Sequence, residues 1–148
     1  MKLIIAGEFY SSKEKYLALI KKLGLVNDII IHDEFIPKEK VKYYFGVADA
    51  VVQPYLSATQ SGIASIAKYY QVPMVVTPVG ELPNELIDGE TGVVCESSAP
   101  QKIAEGINRC LLSLHTFSEA LKAEKDEHNW KNFSSELIAF VNALDASI

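Results

Sequence analysis

Short apolar runs recur at 3–6, 29–31, 50–52, 74–76 and 93–95, each followed within two residues by glycine, proline or a charged residue. Runs of that length without alternation are the signature of strands buried on both faces of a parallel sheet. Between them the apolar residues switch to a period near 3.6. Tyr16, Leu19, Ile20 and Leu23 follow a candidate cap at Ser12 and stop at Gly24, and Val41, Tyr44, Phe45 and Ala48 follow Pro37 as a helix N1 residue. Ile63, Ile66, Ala67 and Tyr70 form the next stripe, and Ile103, Ile107, Cys110, Leu111 and Leu114 follow a capping-box pattern at Ser98 and Gln101. A breaker-rich loop at 77–83 leads to a short helical turn around 84–87, and Asp88-Gly89-Glu90-Thr91-Gly92 is a turn into the last strand. Residues 115–129 are polar and charged and read as a solvated helix or connector. Phe133, Leu137, Phe140, Val141 and Leu144 then make a final apolar stripe that needs a covered surface. Strands alternating with helices predict an α/β fold, Rossmann-like, with helices on both faces of a parallel sheet of about five strands, in one domain over 1–148. A central strand starting at residue 3 also leads us to expect that a preceding segment is absent here.

The stretch 50–77 organises this pattern, because strand, small polar turn, helix and strand make one βαβ unit whose turn lies at the carboxyl end of a strand, where open α/β sheets bind ligands. A helix opening near Gln60 or Ser61 leaves its first amides without partners and carries about half a positive charge, which suits phosphate oxygens. Thr59 and Ser61 add hydroxyl donors, and Gly62 lets a ligand approach the backbone. The plainer alternative is that Thr59 or Ser61 caps the helix and Gly62 packs.

Charge narrows the partner class. The chain carries a net charge of −5 with a single arginine, Arg109, so the basic footprint of a nucleic-acid binder is missing. Lys68 is the only Lys or Arg between Tyr43 and Gln101, so backbone amides, or a basic residue from outside this chain, would have to neutralise a diphosphate. Cys95 and Cys110 have no metal-ligand spacing and read as reduced core residues. No apolar run reaches the roughly 18 residues of a membrane span, and the expected location is cytoplasmic.

Other candidate chemistry is weaker. Gly7 is not followed by further glycines at dinucleotide-binding spacing, which argues against NAD or FAD. His32, Asp33 and Glu34 sit in sequence at a strand end, where successive side chains point to opposite faces, so a shared catalytic or metal site is not expected there. No metal site and no cofactor are expected.

The succession LIIAGEF, FIPKEKVKYYFGVADAVVQPY, ATQSGI and PMVVTPVGELPNELIDGETGVV resembles the C-terminal half of a GT-B glycosyltransferase of the retaining group 1 (GT4-like) kind. The likeness covers nearly the whole chain. It implies half an enzyme: a domain that binds a nucleotide sugar, with an N-terminal acceptor-binding domain absent from this chain and a metal-free transfer of a hexose in the cleft between them. Thr59, Gln60, Ser61 and Gly62 would cradle the donor diphosphate, Phe35 and Ile36 would border the nucleobase, and Gly80 and Glu81 would lie near the sugar or the phosphates. The resemblance allows peripheral membrane association of the full-length enzyme, and the C-terminal stripe allows a homo-dimer. Two glutamates that such proteins usually carry fall here on Ala58 and Ile66, and the paired glycine and downstream glutamate of the following loop appear as Glu81 and Asn84. No catalytic residue is therefore assigned, and this chain alone is expected to be inactive. A non-catalytic binding module, a sugar-nucleotide epimerase-like enzyme and an unrelated α/β domain stand as the alternatives.

Overall fold

The computed structural model describes residues 1–127 and 130–145. All five expected strands are present, every pairing between them is parallel, and helices connect most of them, so the fold is Rossmann-like α/β. The strands hydrogen-bond as a two-stranded and a three-stranded sheet. The single sheet of about five strands that the pattern predicts is therefore not formed among the described residues: periodicity marks strands but not which of them pair. The chain divides into two compact units, Met1–Tyr44 and Phe45–Ile148.

In the first unit β1 (Leu3–Ala6) pairs with β2 (Ile29–His32), Leu3 opposite Ile29 and Ala6 opposite His32. The crossover helix α1 (Lys13–Lys22) ends at Gly24, which takes a φ of 70° and donates its N–H to the Lys21 carbonyl. Helix α2 (Lys38–Val47) opens directly after Pro37, whose carbonyl accepts the Lys40 amide at 2.9 Å, so this proline precedes the helix and does not occupy N1. The burial expected of β1 and α1 is not found. Leu3, Ile4 and Ile5 keep 44, 38 and 37% of their surface, and α1 buries no residue, Tyr16, Leu19 and Leu23 staying about half exposed. Two strands and one crossover helix offer too few layers to enclose a side chain from every side.

The second unit contains the core. Strands β3 (Val51–Gln53), β4 (Met74–Val76) and β5 (Gly92–Val94) lie in that order, and β4, in the middle, is buried throughout. Alternation along β4 divides the core into two clusters. Met74 and Val76 face Ala64 and Ala67 of α3 (Gly62–Tyr70), with Leu82 and Leu86. Val75 faces the other way, packing with Val93, Cys95, Cys110 and Phe117 under α4 (Pro100–Leu112). The buried face of α3 is thus set by two alanines, while Ile63 remains 38% exposed and Ile66 and Tyr70 are half-buried. Small residues at the contact let helix and sheet approach closely, which pushes the larger stripe residues to the rim. Both cysteines are free and buried as expected of core thiols. Burial pushes the Cys110 thiol up to about 11 and raises that of Cys95 as well.

Three further local expectations give way. The helical turn near 84–87 is a 3-10 turn at Leu82–Glu85. No capping box forms at α4: Ala99 is the N-cap, Pro100 takes the first turn, and the Ser98 hydroxyl turns instead toward the Tyr55 carbonyl at 3.4 Å. The polar stretch after α4 is a docked helix, α5 (Leu114–Glu127), and not a free connector, because its apolar minority, Phe117 and Leu121, is 3 and 2% exposed. Lys68 pairs with Glu124 at 3.2 Å, and Lys125 donates to the Tyr69 carbonyl at 2.8 Å, a cation at the C-terminal end of α3. Residues 128 and 129 of that stretch lie outside the described residues. In α6 (Trp130–Asp145) Phe133, Leu137, Phe140, Val141 and Leu144 are 47 to 62% exposed. Among the described residues no helix is long and apolar enough to cross a membrane.

Candidate functional site

The chain leaves β3 at Gln53, and Pro54, which has no N–H, ends the ladder. The turn that follows, 54–61, runs along the carboxyl edge of the three-stranded sheet and enters α3 at Gly62. Ser61 is the N-cap, with φ −132° and ψ 114°, yet its hydroxyl makes no capping bond. Thr59 makes none either, so the plainer reading of this turn as a side-chain-capped helix start does not hold. The amides of Gln60, Ser61 and Gly62 have no acceptor among the described residues. Thr59, Gln60 and Gly62 are exposed and Ser61 is buried. A Cβ added to Gly62 would meet nothing within 4 Å, so this glycine is open to an approaching group and is not a packing residue.

The loop after β4 closes on this turn. Gly80 adopts φ +54°, and a Cβ there would stand 1.8 Å from the Ala58 carbonyl oxygen and 2.7 Å from its carbon. Only glycine fits such an approach, in a backbone region that side chains avoid. The Glu81 amide donates to the Thr59 carbonyl at 3.3 Å, its carboxylate accepts from the Asn84 side-chain amide at 2.8 Å, and Glu81 is the N-cap of the 3-10 turn without a capping bond from its side chain. Gly80 and Glu81 are thereby brought against the turn 57–62. Phe35 and Ile36 belong to the first unit, in the loop between β2 and α2, with Phe35 71% exposed and Ile36 half-buried.

The electrostatics of the turn come from its backbone. Lys68, four residues or more along α3, is held by Glu124, as described above. The N-terminal end of α3 supplies partial positive charge with no carboxylate in its first turn. Ala58 has its carbonyl against Gly80, and Ile66 is half-buried on α3, so neither position offers a carboxylate to a ligand.

His32, Asp33 and Glu34 each take a separate partner. His32 Nδ1 lies 2.7 Å from the Tyr44 hydroxyl, Asp33 pairs with Lys13 at 2.8 Å, and Glu34 with Lys40 at 3.5 Å. The Lys13 ammonium beside Asp33 lowers its carboxyl below the ordinary range. Among the described residues no group of His, Cys, Asp and Glu is placed to hold a metal ion.

Sequence reasoning missed three polar residues under the turn. Thr77, fully buried, donates its hydroxyl to the Tyr55 carbonyl at 2.7 Å, and Ser98 approaches the same oxygen. Gln53 is 2% exposed; its Oε1 has no hydrogen-bond partner among the described residues, and its Nε2 lies 3.9 Å from the Met74 sulfur. The available signal was a polar residue closing an apolar strand, as Gln53 closes β3 and Thr77 follows β4.

Comparison with known proteins agrees with this architecture. D-inositol 3-phosphate glycosyltransferase of Corynebacterium diphtheriae is 32% identical over 98 residues, covering 66% of this chain and 23% of that protein. The enzyme of the same name from Paenarthrobacter aurescens is 28% identical over 72% of this chain and 26% of its own length. The chain therefore spans about a quarter of the length of these curated relatives. Among solved structures, Anabaena HepE in complex with UDP superposes with a TM-score of 0.74 at 15% identity, over 97% of this chain and 41% of that one. The C-terminal domain of a group 1 family glycosyl transferase, LpcC, from Francisella tularensis superposes with a TM-score of 0.62 at 18% identity, over 75% of this chain and 60% of that one. Residues 1–134 match the sequence profile described as Glycosyl transferases group 1, and the chain belongs to that family.

Proposed function

We propose that this chain is the nucleotide-sugar-binding half of a glycosyltransferase, and that the turn 57–62 holds the donor diphosphate. The observation that carries the reading is the start of α3, where the amides of Gln60, Ser61 and Gly62 have no acceptor among the described residues and Gly62 stands open. As the glycosidic bond to the donor breaks, negative charge grows on the leaving diphosphate. Fixed amides and a helix N-terminus stabilise that charge without reorganising. Thr59, Gln60, Ser61 and Gly62 contact the phosphates in this proposal, and Gly80 and Glu81 border the sugar. Transfer of a hexose with retention, without a metal or a further cofactor, belongs to the same proposal. HepE, whose fold this chain shares, was solved with UDP, which supports a nucleoside diphosphate as the ligand class.

The missing carboxylates at Ala58 and Ile66 favour a second reading, a binding module without catalysis. Calorimetric titration with UDP, GDP and ADP sugars separates the two. The expected result is no transferase activity for this chain alone and binding weaker than about 1 μM, since each absent charged hydrogen bond weakens binding by about 1.5–3 kcal/mol. Sub-micromolar binding would mean that another group replaces them. Absence of binding to all three at millimolar concentration removes the donor role and leaves the module.

The full protein, in this proposal, supplies an acceptor-binding half, and the apolar stripe of α6 takes a covering surface from that half or from a second copy of the chain. Phe140 and Leu144 are 62 and 51% exposed, so changing both to Ser is expected to alter thermal stability by no more than about 0.5 kcal/mol each. Sedimentation should show less self-association in the double variant. Unfolding of that variant would place α6 in the core of the second unit and defeat the proposal.

A further inference from the structure

Two of the polar residues beneath the turn, Thr77 and Ser98, reach its backbone at the Tyr55 carbonyl. Pro54 removes the ladder after β3, so the Tyr55 carbonyl has no sheet partner, and the segment after β4 supplies one. That segment touches the turn at three successive points. The Thr77 hydroxyl donates to the Tyr55 carbonyl at 2.7 Å, Gly80 seats the Ala58 carbonyl, and the Glu81 amide donates to the Thr59 carbonyl at 3.3 Å. Thr77 is the anchor of the three: it is 0% exposed, its own amide donates to the Gln53 carbonyl at 3.3 Å, and its carbonyl accepts the Val79 amide at 2.9 Å. Valine would fill the same space with no polar group to satisfy, so a hydroxyl is tolerated here because it is bonded. Complete burial leaves the side chain little rotational freedom, and the hydroxyl carries that restraint to the chain entering the turn.

We propose that Thr77 is a positioning residue of the donor site, whose buried hydroxyl holds the 54–62 turn in the shape that presents its amides to a diphosphate. The proposal rests on the reading of that turn as the phosphate site. Thr77 itself does not touch the ligand; it acts through Tyr55 and the backbone that follows.

Two variants of the full chain, Thr77→Val and Thr77→Ser, test it through three readouts: thermal stability, UDP titration, and NMR backbone order parameters of residues 57–62 without ligand. Thr77→Val keeps the packing and loses the donor. It is expected to bind UDP about fivefold more weakly, the equivalent of one hydrogen bond, with lower order parameters in the turn. Thr77→Ser keeps the donor and deletes a buried methyl, so it is expected to melt at a lower temperature than Thr77→Val yet to bind UDP as the parent chain does. This inversion of the two orders separates positioning from stability alone. Affinities that follow melting temperatures, or a Thr77→Val chain with unchanged affinity and unchanged order parameters, would overturn the proposal. If the parent chain binds no UDP, the phosphate reading fails. The ligand-free order parameters then decide the role of Thr77 by themselves, lower values in Thr77→Val supporting it and unchanged values refuting it.

Discussion

Replacing Gly80 with alanine is expected to weaken nucleoside diphosphate binding by about a hundredfold, because a Cβ would lie 1.8 Å from the Ala58 carbonyl oxygen. The neighbour is backbone, so no side chain can swing aside. The φ of +54° adds a left-handed strain of about 1–2 kcal/mol that only glycine escapes. The clash is relieved by moving the Ala58 to Thr59 peptide by about 1 Å, and losing one or two amide bonds to a charged phosphate at about 1.5–3 kcal/mol each amounts to on the order of a hundredfold in affinity. The amides of Gln60, Ser61 and Gly62 follow that peptide directly. Titration of UDP into parent and variant measures the effect, and the 57–62 amide shifts should move even without ligand. An unchanged affinity would show that the turn's shape is irrelevant to binding.

Gly92→Ala is expected to produce the largest loss of stability. Gly92 opens β5 opposite Met74 in β4, and a Cβ would stand 2.5 Å from the Met74 carbonyl oxygen and 3.1 Å from both the Met74 nitrogen and Leu86 Cδ2. Both neighbours belong to the densest part of the protein, the first as sheet backbone and the second as a core side chain. Overpacking against atoms that cannot move costs about 3 kcal/mol, or roughly 10 °C in melting temperature for a domain of this size. Thermal unfolding by circular dichroism checks it. A shift under about 2 °C would mean that β5 and β4 can part without penalty, contrary to the parallel register between them.

The family resemblance and the local architecture could be read from the chain because both are carried by short-range pattern. Buried strands announce themselves as apolar runs, and Met74 to Val76 is buried where the pattern placed it. The turn 57–62 was legible because small and polar residues between such a run and a helical stripe leave few other conformations. The two strand-end residues beneath it, Gln53 and Thr77, were not. A polar residue at a strand end looks the same whether it faces water or a carbonyl from a segment twenty residues away. Ser98 likewise carried a capping pattern, and a distant acceptor, the Tyr55 carbonyl, took its hydroxyl instead. The polar stretch 115–127 misled for a related reason, since two well-placed apolar residues, Phe117 and Leu121, suffice to dock a helix that composition makes look solvated.

The sequence by itself determined the order of strands and helices, the parallel pairing that crossover connections require, and the position of the candidate phosphate turn, because each follows from the period of apolar residues and from glycine and proline. The tertiary structure decided which apolar residues are buried. Ala64 and Ala67 became core and Ile63 rim, and Leu3 to Ile5 remained exposed, because burial depends on how many layers surround a residue and not on its hydrophobicity. It also decided what shapes the turn: Gly80 against Ala58, Thr77 beneath Tyr55 and Glu81 on Thr59 are contacts between residues about twenty positions apart, set by the pairing of β3 with β4. No local pattern encodes such contacts, since their geometry exists only once the two strands lie side by side.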